Sequence, residues 1–318
     1  MKRLLIQIFI LAALLFLTVE AAAYLCRREL DPFNYLAAIS SKHRLLNASA
    51  KSTSTSRVIM IGDSSLPFGF DAALAKRELK IPVINMGLHA AFGLEFILKE
   101  IVPDVKSGDI IVLVTHYYPN DADINEGVIC HALDFYPRMY QRLNLNYFLL
   151  EKQKFTCDLK RTRRFILHKL SRSAAPTDMS RFDYKTWALD ENGDFYDNLY
   201  VNPEIRFAPG KSKITPSSQE ETIALLQEYR LKYGELGAKL LIIYPPFPKT
   251  VYNDNIIAVD EFDGLLRQEA GIKILNHPFD SVFEDDYFFN SDYHLTSKGK
   301  LEYTQLVVDL LKDELNIN

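Results

Sequence analysis

Apolar and polar positions fall along this 318-residue chain in blocks of two kinds. The first block, Leu4 to Cys26, is apolar apart from residues such as Gln7 and Glu20, and it lies between Lys2-Arg3 and Arg27-Arg28. About 20 such residues suffice for a helix to cross a bilayer, so the pattern predicts a transmembrane helix or signal anchor over residues 1–28. Ala21-Ala22-Ala23 also offers small residues for cleavage of a signal peptide, although the apolar run is long for one. Both readings export the remainder. From Asp31 to Ser56 the chain turns polar and rich in Ser, Ala and Lys, which reads as a stalk over residues 29–56.

Beyond the stalk, short apolar runs alternate with amphipathic stretches. Strands are expected at Val58–Ile61, Pro82–Met86, Gly108–Tyr118, "AKLLIIYPP" and Ile272–Leu275. Helices are expected at Asp71–Leu79, Leu94–Val102, Tyr136–Leu170 and around Val259–Gln268. Ser217 and Glu220 fit a capping box opening a further helix, with Gly234 and Gly237 as its terminators. Thr296 or Ser297 caps a final helix whose apolar face draws on Leu301, Leu306, Val307 and Leu310. Such alternation predicts an α/β fold, a three-layer α/β/α sandwich with a mainly parallel central sheet. One domain over 57–318 is expected, with an irregular insertion at about 130–215. Ligands of parallel sheets sit at the carboxyl ends of the strands, which ranks the loops after Ile61, Met86, Val114 and Ile243 and the one before His294.

Composition narrows the field less than pattern does. A net charge of -4 gives no basic face for nucleic acid. Lys160 to Arg164 form a basic stretch that reads as a solvated helix face. Cys26, Cys130 and Cys157 show no zinc-ligand spacing, so neither metal nor cofactor is expected, and one disulfide at most, Cys130 to Cys157, can be drawn.

The candidate chemistry lies in "VIMIGDSS". Ser64 follows the first strand and precedes a helix, where backbone N–H groups can stabilise an oxyanion. A serine hydroxyl needs a base, and serine at a helix start also serves as an ordinary cap. Among seven histidines, His89 and His116 follow strands at the correct edge, and His294 stands just before the last helix with acids nearby. A helix N-terminus disfavours the charged imidazole, which suits a neutral base.

Together, "VIMIGDSS", "VINMGLH" and "NSDYHLTSKG" resemble the SGNH (GDSL-type) hydrolase superfamily. Within it, the anchor and the "HLT..G" ending look like membrane-anchored proteins of cell-envelope and exopolysaccharide O-acylation. These include the D-alanine transfer protein and the SGNH-like alginate O-acetylation group. The resemblance implies Ser64 as nucleophile, His294 as base and an oxyanion hole from Ser64 and Gly87. Asn120 is a further donor by its letters, though it falls beyond the strand, where His116 or Tyr117 occupies the edge. The superfamily's acid usually stands three before its histidine, where this chain has Ser291, so Asp292 is the first choice for orienting the ring and Asp286 a distant second. Asp63, Ser65, His116, Tyr117 and Asn290 complete the expected pocket, with Ser65 as fallback nucleophile. Tyr118, Phe68 and Phe247 line an aromatic cleft or belong to the core.

The resemblance implies an exported O-acyltransferase or esterase acting on a polysaccharide, beside a multi-spanning membrane acyltransferase. The alternative is a catalytically idle module that binds polysaccharide or that partner. A lipase or thioesterase is a third reading, weakened by the absence of a long apolar lid.

Overall fold

A computed structural model describes residues 2–30, 39–52, 56–117, 119, 147–171, 190, 192–194, 213–214 and 219–317. The chain divides into two compact units, residues 1–37 with 126–186, and residues 38–125 with 187–318.

In the first unit, helix α1 (Lys2–Leu30) contains the apolar block. Its Lys2–Cys26 portion is long and apolar enough to cross a membrane. Leu4 to Leu17 present large apolar side chains to the outside, while Val19, Ala23 and Cys26 are covered. A second long helix of this unit, α6, spans Tyr147–Ser171. Cys157 on it is disulfide-bonded. Cys130, the partner drawn from the sequence, lies outside the described residues.

The second unit is built on a parallel sheet of β1 (Val58–Gly62), β2 (Val83–Asn85), β3 (Ile110–Val114), β4 (Lys239–Ile242) and β6 (Lys273–Ile274) in the order β2-β1-β3-β4-β6. Alternation along the strands sends side chains to two cores. Ile59, Ile61, Ile111 and Leu113 pack with α5 (Leu94–Lys99), α7 (Glu220–Glu235) and α8 (Lys249–Glu269). Val58, Met60, Val112 and Leu241 pack with α3 (Ser65–Gly69), α4 (Ala72–Leu79) and α9 (Ser297–Leu315). A strand buried on both faces reads as a continuous apolar run, which is why "VIMI" and "IIVLV" carry no polar partner positions. Beside the sheet, β5 (Phe247–Pro248) pairs in parallel with β7 (Val282–Phe283). The α/β architecture with a mainly parallel sheet and an apolar N-terminal helix is thus the one the pattern predicted.

The strand order reverses between β1 and β3, and such a switch point is where a parallel sheet opens a crevice. The chain leaves β1 there through Gly62, at φ 159°. A Cβ on Gly62 would lie 1.7 Å from the Val114 carbonyl oxygen, so only glycine lets β1 end this close to β3.

Several local expectations change. The segment read as a stalk contains α2 (Ile39–Ser52), which buries Ile39, Lys42, His43 and Leu46 in the second unit. Its polar letters hide three buried anchors: Lys42, His43 and, just beyond, Arg57, whose guanidinium pairs with Asp109 at 2.5 Å. Helix α7 starts after Gln219 with no side-chain cap, so Glu220 is its first residue instead of the far end of a box; Ser217 lies outside the described residues. Helix α8 begins at Lys249, ten residues before the expected apolar core, because Pro248 ends β5 there. On α9 the buried row is Tyr303, Thr304, Val307, Val308 and Leu311, whereas Leu301 is exposed. Polar Thr304 is accepted on that face because its hydroxyl meets the Lys300 carbonyl and the Asp71 N–H.

Candidate active site

The loop after β1 turns directly into α3, a helix of one turn and a half. Ser64 occupies its N-cap with φ -69° and ψ -12°, yet its side chain makes no capping bond. The hydroxyl faces another partner: Ser64 Oγ and His294 Nε2 are 2.9 Å apart. Ser64 is partly exposed, while Asp63 and Ser65 on either side are buried. Burial removes Ser65 as an accessible nucleophile.

His294 is delivered by the loop before α9. Phe288 and Leu295 form an antiparallel bridge, the Phe289 N–H donates to the His294 carbonyl at 3.1 Å, and the Thr296 side chain caps the helix two residues on. This narrow hairpin folds residue 290 back beside residue 294. Asn290 Oδ1 stands 2.7 Å from His294 Nδ1. An amide oxygen there accepts the Nδ1–H, which leaves the Nε2 lone pair toward the serine. The residue orienting the ring is therefore Asn290 and not Asp292, whose charge acts instead on neighbouring Tyr293. Asp286 lies on the 3₁₀ turn Asp285–Tyr287, where its charge bears on Lys298.

The imidazole is enclosed, with Phe68 at 4.5 Å and Phe289 at 5.7 Å between ring centroids. Burial is the largest influence on its pKa and lowers it to about 4; the Asp63 charge opposes that shift and His89 adds to it. The ring is held neutral at ordinary pH, as a general base requires.

Asp63 pairs with a different imidazole, that of His116. Its Oδ2 accepts from the His116 N–H at 2.8 Å and faces the His116 ring Nδ1 at 3.0 Å, while Oδ1 accepts from the Ser65 N–H at 2.8 Å. Burial alone would raise the carboxyl pKa, but these bonds and the His116 charge outweigh it and hold the group at about 2. Asp63 thus ties the carboxyl ends of β1 and β3 together immediately before Ser64. His89 sits on the third side, its Nδ1 accepting from the Ala91 N–H at 3.0 Å.

Gly87 follows β2 and packs against the start of α3, where a Cβ would come 2.4 Å from Leu66 Cβ. Its N–H donates to Asn85 Oδ1 at 2.9 Å. Asn85 in turn donates to the Leu66 carbonyl at 3.1 Å and to Asp194 Oδ1 at 2.7 Å. The expected oxyanion donor therefore has a partner already. Asn120 and Tyr118 lie outside the described residues. Tyr117 is a core residue, stacked on Tyr244 at 5.5 Å and set against Phe247 at 5.2 Å. Phe68 and Phe247 are likewise buried. Of the two edge candidates after β3, only His116 turns toward the site. Among the described residues, no group of His, Cys, Asp and Glu side chains is arranged to hold a metal.

No family model matches the chain, and no curated protein sequence matches it.

Proposed function

We propose that this protein is an SGNH-like acyl-transfer enzyme, an O-acyltransferase or esterase acting on an exported or cell-surface polysaccharide. The observation that carries the proposal is the relay Ser64–His294–Asn290, with heavy-atom separations of 2.9 Å and 2.7 Å. A serine that declines its capping role and faces a buried, neutral imidazole has the arrangement of an activated nucleophile.

In the proposed reaction, Ser64 Oγ attacks an ester carbonyl as its proton passes to His294 Nε2. The tetrahedral oxyanion forms beside the Ser64 N–H at the start of α3. The imidazolium then returns the proton to the departing alkoxide, leaving an acyl-serine. A sugar hydroxyl or water, deprotonated by the same ring, attacks the acyl carbon and releases Ser64. The α/β fold with its mainly parallel sheet, the "GDS" turn and the histidine before the last helix support the superfamily resemblance. The apolar N-terminal helix, together with a disulfide at Cys157, supports an extracytoplasmic domain.

A second reading, an idle binding module of the same fold, draws on the engagement of the Gly87 N–H and on an amide where a carboxylate usually orients the base. Acetyl-ester hydrolysis by the full chain, with Ser64→Ala as control, separates the two. Loss of turnover in the variant supports the enzyme; equal rates for the variant and its parent would sink it.

A further inference from the structure

His89 follows β2 on a loop that stays fastened to β1. Past the end of the strand, the Met86 N–H donates to the Met60 carbonyl at 2.8 Å and the Leu88 N–H to the Gly62 carbonyl at 3.1 Å. Gly87 between them lies against the turn itself, where a Cβ would stand 3.0 Å from the Asp63 carbonyl oxygen. The loop therefore carries His89 past the residues that lead into Ser64. Leu88 is buried, whereas His89 is partly exposed, as Ser64 is.

The ring is oriented by the backbone. His89 caps the 3₁₀ turn Ala90–Phe92, and its Nδ1 accepts from the Ala91 N–H at 3.0 Å. An imidazole nitrogen that accepts carries no proton, so the neutral ring has its hydrogen on Nε2 and donates from there. Burial lowers the His89 pKa and outweighs the opposing Asp63 charge, which favours the neutral ring. His89 also acts on the His294 ring. Asp63 precedes Ser64 and His294 meets its hydroxyl, so His89 lies within electrostatic reach of both neighbours of that serine. An acyl-transfer site needs donors where the carbonyl oxygen becomes negative. The Gly87 N–H is already given to Asn85 Oδ1 at 2.9 Å, so the Ser64 N–H calls for a companion from elsewhere.

We propose that His89 is a catalytic residue of this site, donating from its Nε2–H to the oxyanion that forms when Ser64 attacks an ester carbonyl. A neutral imidazole can serve as such an electrophile. His89 binds the developing charge and transfers no proton; the Ser64 proton still passes to His294. The inference rests on the acyl-transfer reading of Ser64 and His294 and adds a side-chain donor to it.

Two substitutions separate the roles of the ring nitrogens. In His89→Asn the side-chain oxygen takes the place of Nδ1 and keeps the cap, while nothing remains at Nε2. In His89→Gln the amide nitrogen takes the place of Nε2 and the cap is lost. The full chain and both variants are compared in p-nitrophenyl acetate hydrolysis, in thermal melts and in inhibition by a trifluoromethyl ketone, which binds serine as an oxyanion-bearing hemiketal. His89→Asn should keep the parent's Tm and KM and lower kcat by on the order of 10²–10³, with ketone affinity falling by a similar factor. His89→Gln should melt earlier yet retain more activity than His89→Asn. Activity ordered like the melts, Asn above Gln, marks a capping residue and overturns the proposal. A kcat loss that leaves ketone affinity unchanged overturns it as well. If His89→Asn melts below the parent, the proposal stands only where ketone affinity falls further in it than in His89→Gln. A parent that neither hydrolyses the ester nor binds the ketone overturns the acyl-transfer reading itself. An active parent with an equally active His89→Asn overturns this inference alone.

Discussion

Asn290 Oδ1 lies 2.7 Å from His294 Nδ1, so a neutral amide stands where a serine-dependent site usually keeps a carboxylate. An amide fixes the tautomer of the ring but offers no charge to the imidazolium that forms during proton transfer. Asn290→Asp should therefore raise the His294 titration midpoint above about 4, by roughly 1–3 units, since an adjacent carboxylate favours the charged ring. Asn290→Ala should lower kcat by on the order of 10²–10⁴ through loss of orientation. Imidazole-proton NMR titration and ester-hydrolysis kinetics check the two outcomes.

The depressed His294 pKa sets a pH profile. In the proposed reaction His294 acts as base when neutral, so kcat/KM should hold its plateau down to about pH 5 and fall near pH 4, well below the break of about 6.5 expected of an unperturbed histidine. Stability follows the same group. Its folded pKa lies below the unfolded value, so its contribution is complete above about pH 6.5 and is lost as pH falls toward 4. The loss is on the order of 3 kcal/mol for this buried ring. A His294→Gln variant should show a shallower acid limb in urea melts over that window.

Gly87→Ala should damage the fold as well as the site. Its Cβ would meet Leu66 Cβ at 2.4 Å, and Leu66 lies in the rigid start of α3. Relieving that overlap costs roughly 1–3 kcal/mol and shifts the turn that presents Ser64. Thermal melts and kcat measured on the same preparation should fall together.

Lys42 is buried, and its ammonium donates to the carbonyls of Asn85 at 2.8 Å and Gly193 at 2.6 Å. Lys42→Met keeps the bulk and strips both bonds, leaving two buried acceptors unpaired at roughly 1–3 kcal/mol each. Hydrogen exchange should then rise at residues 192–194 and at β2 ahead of the rest of the sheet.

Much of the fold was written in period. Runs such as "IIVLV" announce a doubly covered strand, and their alternation with helices announces a parallel sheet. The stalk misled because α2 buries its polar residues, and burial of Lys42 and His43 depends on carbonyls and carboxylates far away in sequence. The site divides the same way. Ser64 and His294 were legible as a strand-to-helix turn and a residue before a capped helix. Asn290 was passed over as the orienting residue because a spacing of four suits the ring only once Phe288 and Leu295 close a hairpin. The partnering of the Gly87 N–H by Asn85, two residues earlier, is visible only once the loop's geometry is known, although Asn at that spacing is a turn former that could have drawn notice.

Asn192 and Asp194, beside β2, have a further consequence. β2 ends the sheet, and the unpaired groups of an edge strand invite another chain to add on. Here the Asn85 N–H donates to the Asn192 carbonyl at 3.0 Å, and the Asp194 carboxylate takes the Ala72 N–H at 2.5 Å. A stretch that looks dispensable by its letters therefore seals an otherwise adhesive rim. Shortening it to make a trimmer protein would trade a loop for a self-associating strand.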